Sequence, residues 1–369
     1  MTSPVEVATV GGLSCLYRVD TGALALLNAE ASQLWHDLQQ RGEATTDDGV
    51  GPEPDAHDLK ARWQAQGFLG GTAPAEPAGQ LAVHAPSANG GADLDQRYTL
   101  GHGRAIRVVA RDQVLAALLD AVLAPLACAA AVPDHLIEAF PCDVDRLAVQ
   151  VDGATRLISG RAAARSEVLR QALLHLVGAE QVGAILHAST VAGPEGGILL
   201  LGASGSGKST LATALLAQGL HYVADDLSAL DRGGTSVHPF PIGLSVKSGS
   251  WSTVARRFPE LDALPVLATR RLRVRYLDAR SYAVAPAQTV RAQRLVFPYY
   301  APGVALEAER LAPEAALQLA ITTGSEPDGE PRSIHPLARL CDTVPAWHLA
   351  YGDVDQAADW IRSASGALA

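Results

Sequence analysis

Eight residues, Gly202-Ala203-Ser204-Gly205-Ser206-Gly207-Lys208-Ser209, fit the pattern G-x-x-x-x-G-K-[ST] at every fixed position. Glycines at these spacings let successive backbone N–H groups converge on phosphate oxygens, and a helix starting at the lysine adds the positive end of its dipole. The lysine then meets the β- and γ-phosphates of a nucleotide as a compact charge, and the Ser209 hydroxyl can ligate Mg²⁺. Asp225 and Asp226 close the stretch HYVADD. Carboxylates there can hold the magnesium or take the proton of an attacking hydroxyl, although adjacent aspartates also form ordinary solvated turns. His187 lies in ILHASTVA, where a core histidine and a catalytic one are both admissible. Lysine occurs only at Lys60, Lys208 and Lys247, every other basic residue being arginine. In a chain so biased, a retained lysine points to a place that needs a compact ammonium. Lys208 is in the phosphate loop. Lys247, in HPFPIGLSVKSGSW, is a candidate phosphate or substrate contact, or else a strand-end charge. Arg270 and Arg271, with Arg273, could clamp phosphate or an acidic peptide, or simply be solvated.

The elements that would position these groups can be read from apolar patterning. ILLL before the loop and STLATALLAQG after it read as a buried strand and a helix. GAILHASTVA reads as one strand, turned back antiparallel by Gly193-Pro194-Glu195-Gly196 to lie beside GGILLLG. HYVADD is a further strand. Two adjacent carboxylates at its end point to opposite sides unless the backbone turns there. Upstream, RAIRVVAR is a strand and DQVLAALLDAVLAPLACAAA a helical run interrupted at Pro125. Asp152-Gly153 is a hairpin signal between DRLAVQV and TRLISG, and SEVLRQALLHLVGA is a helix. RLRVRYLDA and RLVFPYY read as strands, PEAALQLAITTG and DVDQAADWIRSA as late helices.

The remainder of the chain bounds the setting. A length of 369 residues suggests two domains, and 48% hydrophobic against 18% charged residues excludes disorder throughout. No apolar run is long enough for a membrane span, and the start lacks the pattern of a secretory signal. Four scattered cysteines argue for a reducing compartment and against structural zinc. The expected location is cytoplasmic. The net charge of -10 carries no basic stripe, so nucleic acid is not an expected partner. Residues 1–70 read as three strands (VEVATV, SCLYRVD, ALALLN) and two helices (AEASQLWHDLQQRG, DAHDLKARWQAQG), a core so small that it needs a neighbour. Residues 71–96, rich in Gly, Ala and Pro, read as a flexible linker, and residues 97–369 as one larger α/β unit. A homo-oligomer is compatible with all of this.

From Ile185 to Asp226 the chain reads ILHASTVAGPEGGILLLGASGSGKSTLATALLAQGLHYVADD, and in this order and spacing it resembles the HPr kinase/phosphorylase family. The resemblance implies a mixed-sheet P-loop fold shared with PEP carboxykinase, in which an antiparallel hairpin feeds the loop. It implies ATP and Mg²⁺, with Gly202, Ser204, Gly205, Ser206, Gly207, Lys208, Ser209 and Thr210 around the nucleotide and Ser209 and Asp225 at the metal. It also implies that His187, Asp225 and Asp226 line the transfer site beside Lys208, with Asp226 read as the base. Beyond Asp226 the family's second signature is replaced by the segment containing Lys247. That segment is more similar to HPr-kinase-related enzymes found beside peptide-modification genes.

Residues 1–70 resemble the PqqD-type domain that binds leader peptides in the maturation of ribosomally made peptides, a small winged-helix-like α+β unit. A DNA-binding winged helix would share this pattern. However, Arg18, Arg41, Lys60 and Arg62 stand against ten acidic residues in that stretch, a poor footprint for a phosphate backbone. Together the parts suggest a kinase that phosphorylates a Ser or Thr hydroxyl of a precursor peptide held by its leader. The alternatives are a regulatory kinase of a folded carrier protein and a nucleotide-binding chaperone that transfers nothing.

Overall fold

The computed structural model describes residues 5–41, 54–66, 68–69, 92–268 and 273–363. The chain is mixed α/β, with parallel and antiparallel pairings combined in its sheets. Among the described residues no helix is long and apolar enough to cross a membrane.

The first sheet is an antiparallel meander of β1 (Val5–Val10), β2 (Leu13–Arg18) and β3 (Leu24–Leu27), followed by α1 (Ala29–Arg41) and α2 (Pro54–Ala65). Asn28 caps α1 by accepting the Ala31 N–H at 2.9 Å. Strand alternation gives the sheet two apolar faces. Leu16 and Leu27 pack with Trp35 and Trp63 of the helices, the two indoles meeting edge to face at 5.5 Å. Ala8, Val10, Cys15 and Tyr17 join a different core, with Leu317 of α7 (Pro313–Thr322) and Leu337 and Leu340 of α8 (His335–Thr343). The Glu6 carboxylate adds a polar tie, accepting from Ser333 Oγ at 2.9 Å and the Ile334 N–H at 3.1 Å. The neighbour this small unit was expected to need is therefore the C-terminal part of the same chain.

A five-stranded sheet follows, ordered β4 (Leu94–Thr99), β5 (Ala105–Ala110), β6 (His135–Pro141), β7 (Arg146–Val151) and β8 (Ala154–Ser159). β5 and β6 run parallel, the rest antiparallel. β4 begins inside the stretch read as a linker; residues 71–91 of that stretch lie outside the described residues. Helices α3 (Gln113–Leu123) and α4 (Arg161–Val177) pack on this sheet and share its core with the central one. α4 starts at Arg161, ahead of the apolar period that announces it at Ser166.

The central sheet has ten strands. Its main path runs β12 (His221–Ala224), β10 (Ala188–Gly193), β11 (Gly196–Leu201), β18 (Val290–Tyr300), β14 (Ser236–His238), β13 (Ser228–Asp231), β9 (Val182–Leu186) and β20 (Glu326–Pro327). β21 (Ala346–Tyr351) pairs parallel to β18 and antiparallel to β19 (Glu307–Leu311). On one face lie α5 (Lys208–Ala217), α6 (Trp251–Ala255) and α9 (Val354–Ser363), and on the other α7 and α8. A small sheet of β15 (Leu244–Lys247), β17 (Arg273–Leu277) and β16 (Leu267–Ala268) stands beside α5 and α6.

The expected hairpin is present, with Ala188 opposite Leu201 and Gly193 opposite Gly196. The single strand expected over GAILHASTVA is not. The chain bends at His187, so that β9 pairs with β13 and β20 while β10 pairs with β11 and β12. Both segments are buried on both faces, and such strands read as one apolar run that conceals the bend.

Candidate functional site

Between β11 and α5 the phosphate-loop pattern forms a tight turn. Gly202, Gly205 and Gly207 have φ of +147°, +94° and +103°, a region open to glycine and strained for other residues. A Cβ on Gly207 would strike Tyr351 Oη and approach Tyr300 Cβ to 3.2 Å, so no side chain fits there. Tyr300 also pins the loop, its N–H donating to Ser206 O at 3.2 Å. Lys208 is buried, and its Nζ donates to Gly202 O at 2.5 Å and Ala203 O at 3.1 Å. Burial lowers its pKa, and the nearby carboxylates Asp226 and Asp225 oppose that shift. Above the loop opens a cavity of about 450 Å³ bordered by Gly205, Gly207, Lys208, Ser209, Thr210 and Asp226. Among the described residues, Ser206 Oγ and Tyr351 Oη are buried at the loop without a hydrogen-bond partner.

The two aspartates take different positions because the backbone turns between them. β12 ends at Ala224, and the Leu227 N–H donates to Asp225 O at 2.8 Å across Asp226, whose φ is +63°. This three-residue turn costs about 1–2 kcal/mol at a non-glycine residue and aims the two side chains apart. Asp225 is fully buried and surrounded by donors. Ser189 Oγ donates to its Oδ1, the Ser245 N–H to Oδ2 at 2.9 Å, and Ser209 Oγ to both oxygens at 3.1 and 3.3 Å. Desolvation pushes its pKa upward and the adjacent Asp226 charge adds to the rise, against the downward pull of the Ser189 and Ser245 hydrogen bonds. Asp226 faces the cavity, and its Oδ2 lies 3.5 Å from Arg165 Nη2.

A strap formed by β15 and the turn after it crosses the loop. Ser245 reaches Asp225, Lys247 Nζ donates to Ser204 Oγ, and Ser250 Oγ accepts from Thr210 Oγ1 at 2.7 Å. Trp251 Nε1 closes the strap on itself through Val246 O at 2.9 Å. Two of the chain's three lysines therefore flank one cavity. Its opposite wall is Tyr300, Tyr351 and Gly352 to Asp355 at the start of α9.

These features fit a nucleotide triphosphate with magnesium. The amides at the start of α5 are free of intrahelical acceptors, as at any helix N-terminus. Ser209 Oγ with Asp225 behind it is a donor set suited to Mg²⁺, which takes few protein ligands when phosphates supply others. Among the described residues no group of three or more His, Cys, Asp or Glu side chains could hold a metal ion without such help.

The expected site residues are thus mostly assembled. Gly202 and Ser204 are not in the cavity lining but contact Lys208 and Lys247, which are. His187 is the exception. The hairpin brings it one residue beyond the Ala188–Leu201 pair, beside the loop, yet it borders a second cavity rather than the first. Its Nδ1 donates to Asp226 O at 3.2 Å, and burial, helped by Lys208, lowers its pKa so that the ring is neutral near pH 7. Arg270 and Arg271 lie outside the described residues; Arg273 is exposed, with its guanidinium 5.3 Å from the Trp251 ring centroid.

Sequence reasoning missed Arg165, Ser189, Ser245, Tyr300, Tyr351 and the 352–355 turn. Ser245 sits within the segment already marked by Lys247; the others carry no local signal. Arg165 lies over the Tyr276 ring at 5.6 Å, and its Nε is buried without a partner among the described residues. Comparisons with protein-family models and with curated proteins found no match.

Proposed function

We propose that this chain is an ATP- and Mg²⁺-dependent kinase that phosphorylates a Ser or Thr hydroxyl of a ribosomally made precursor peptide. In this reading the larger unit has an HPr kinase-type P-loop fold, and residues 1–70 hold the leader. The observation that carries the reading is the division of labour between adjacent aspartates. One is buried against the Ser209 hydroxyl, and the other faces the phosphate-loop cavity. A pocket that only bound nucleotide would need the first alone.

In the proposed transfer, the α5 amides, Lys208 and Lys247 hold the triphosphate, with Tyr300 and Tyr351 on its far side. Asp225 orients Ser209 toward the metal position. Mg²⁺ held at Ser209, with Asp225 behind it, would supply charge neutralisation for the transferring phosphate. Asp226 accepts the proton of the acceptor hydroxyl as its oxygen bonds to the γ-phosphorus. The bond to the bridging oxygen breaks, and ADP leaves. Arg165, beside Asp226, holds the carboxylate in place through this step.

The three strands and two helices at the N-terminus support the leader-binding role. β1 lies against α8, leaving β3 as the outer edge at which an extended peptide adds as a strand. The test compares Lys208→Ala and Asp226→Asn for ATP affinity and phosphate transfer. Lys208→Ala loses both. Asp226→Asn keeps ATP affinity and loses about 100-fold in kcat. ATP binding with no phosphate transfer by the wild type would favour a nucleotide-binding chaperone, and unchanged turnover in Asp226→Asn would remove Asp226 as the base.

A further inference from the structure

The second cavity, of about 730 Å³, is lined by His187, which bonds the Asp226 carbonyl, and by Leu227, which follows Asp226 in the chain. Its outer part is bordered by Tyr17 and Gly22 of the N-terminal sheet, by Arg156 of β8 and by Arg332; its inner end is His187 and Leu227. Asp226 connects the two linings. Its carboxylate borders the first cavity, its carbonyl oxygen accepts from His187, and Leu227 follows it in the chain. Arg165, which touches the Asp226 carboxylate, precedes Ser166 of the cavity wall on α4.

The histidine's protonation follows from its partner. A carbonyl oxygen only accepts, so Nδ1 carries the proton and the neutral ring keeps Nε2 as an acceptor. No group among the described residues bonds Nε2. The inner end of the cavity thus offers an acceptor to a hydroxyl one residue from the proposed base.

Charge at the outer end narrows the occupant. Arg170 holds Asp328 through both carboxylate oxygens, at 2.9 and 2.7 Å, and also binds Glu167. Arg156 reaches that same Glu167 at 3.2 Å, and Arg332 reaches Asp328 only at 3.7 Å. Their side chains are 63% and 36% exposed. Two guanidiniums thus share carboxylates already committed to a third. Glu326, exposed on the same wall, supplies one further carboxylate beside these guanidiniums.

We propose that this cavity is the acceptor side of the transfer site, taking a peptide segment that carries acidic residues next to its acceptor hydroxyl. The peptide passes between the N-terminal sheet and α4, its acidic residues at Arg156 and Arg332 and its hydroxyl at His187 and Asp226. Nucleotide and acceptor then meet at one aspartate, and the N-terminal unit forms part of the acceptor's wall. This rests on the kinase reading for its chemistry, but not for its binding.

The test uses the full chain and two fluorescein-labelled serine pentapeptides, one flanked by glutamates and one by lysines, with affinity read by anisotropy. The wild type should prefer the acidic peptide by about tenfold, and Arg332→Glu should erase that preference. Ser166→Trp, which fills the mouth from an exposed helix position, should weaken the acidic peptide by about tenfold with ATP affinity unmoved. Ala163→Trp repeats the block from one helical turn earlier should the first variant fail to fold. Equal affinity for both peptides, or full binding by a folded blocked variant, would overturn the proposal. Transfer to the serine hydroxyl is assayed separately. Peptide binding as expected without transfer sinks the kinase reading and leaves the site; transfer that ignores the blocking variants does the reverse.

Discussion

Asp225 and Asp226 show how one backbone torsion separates two chemically identical side chains. Asp152 and Asp226 are the non-glycine residues with positive φ among those described, and Asp152 sits in an ordinary hairpin turn. At Asp226 the strained turn places one carboxyl in the core and the other in a cavity. The buried one has a consequence for stability. Asp225's pKa is raised in the fold, so the fold is favoured while the group keeps its proton. That advantage is lost as pH rises through the folded value. Asp225→Asn keeps an acceptor for the Ser245 N–H and removes the titration. Its Tm should match wild type near pH 5 and exceed it by about 2–4 °C near pH 8 without nucleotide, while transfer is lost. Thermal melts of both proteins across that range check this. A gap that narrows as pH rises would mean that Asp225 is stabilised as a carboxylate by its donors.

The strap of β15 and its following turn belongs to the scale of the element, because its contacts act through one rigid segment. Ser245, Lys247 and Ser250 tie it in succession to Asp225, to the loop apex and to α5. Lys247→Ala should weaken ATP by about tenfold, and the penalty should shrink with added salt because this lysine is only half buried. ATP titrations at low and high ionic strength measure it, and an affinity equal to wild type would remove Lys247 from the site. That lysine was legible from composition alone, as was the phosphate loop, whose shape is set by glycines within eight consecutive residues. Arg165, Tyr300 and Tyr351 were not. They come from segments far apart in the chain and meet through strand order, which no local period reports. The bend at His187 was hidden for a different reason: burial on both faces erases the alternation that would have marked it.

At the scale of the whole molecule, the N-terminal sheet is both a proposed recognition unit and a piece of the larger unit's core. Ala8, Val10, Cys15 and Tyr17 are buried against the layer of α7 and α8, and Glu6 bonds Ser333 and Ile334. Removing residues 1–91 exposes that layer, at a cost of roughly 5 kcal/mol for four buried side chains. That is a large share of a typical domain's stability. A cut at residue 97 would also divide β4, so the informative shortened chain begins at Ala92. It should melt about 10 °C below the full chain. Loss of activity on truncation therefore does not by itself demonstrate leader recognition. The discriminating quantity is a ratio, kcat/KM on a precursor divided by kcat/KM on its leaderless core. A smaller folded fraction lowers both terms equally and cancels, whereas a lost leader contact lowers the first alone. The full chain should show a ratio of about 100, the scale of an effective concentration supplied by a tethered site, and the shortened chain a ratio near one. If the shortened chain keeps the full ratio, residues 1–70 serve only to cover the α7–α8 layer.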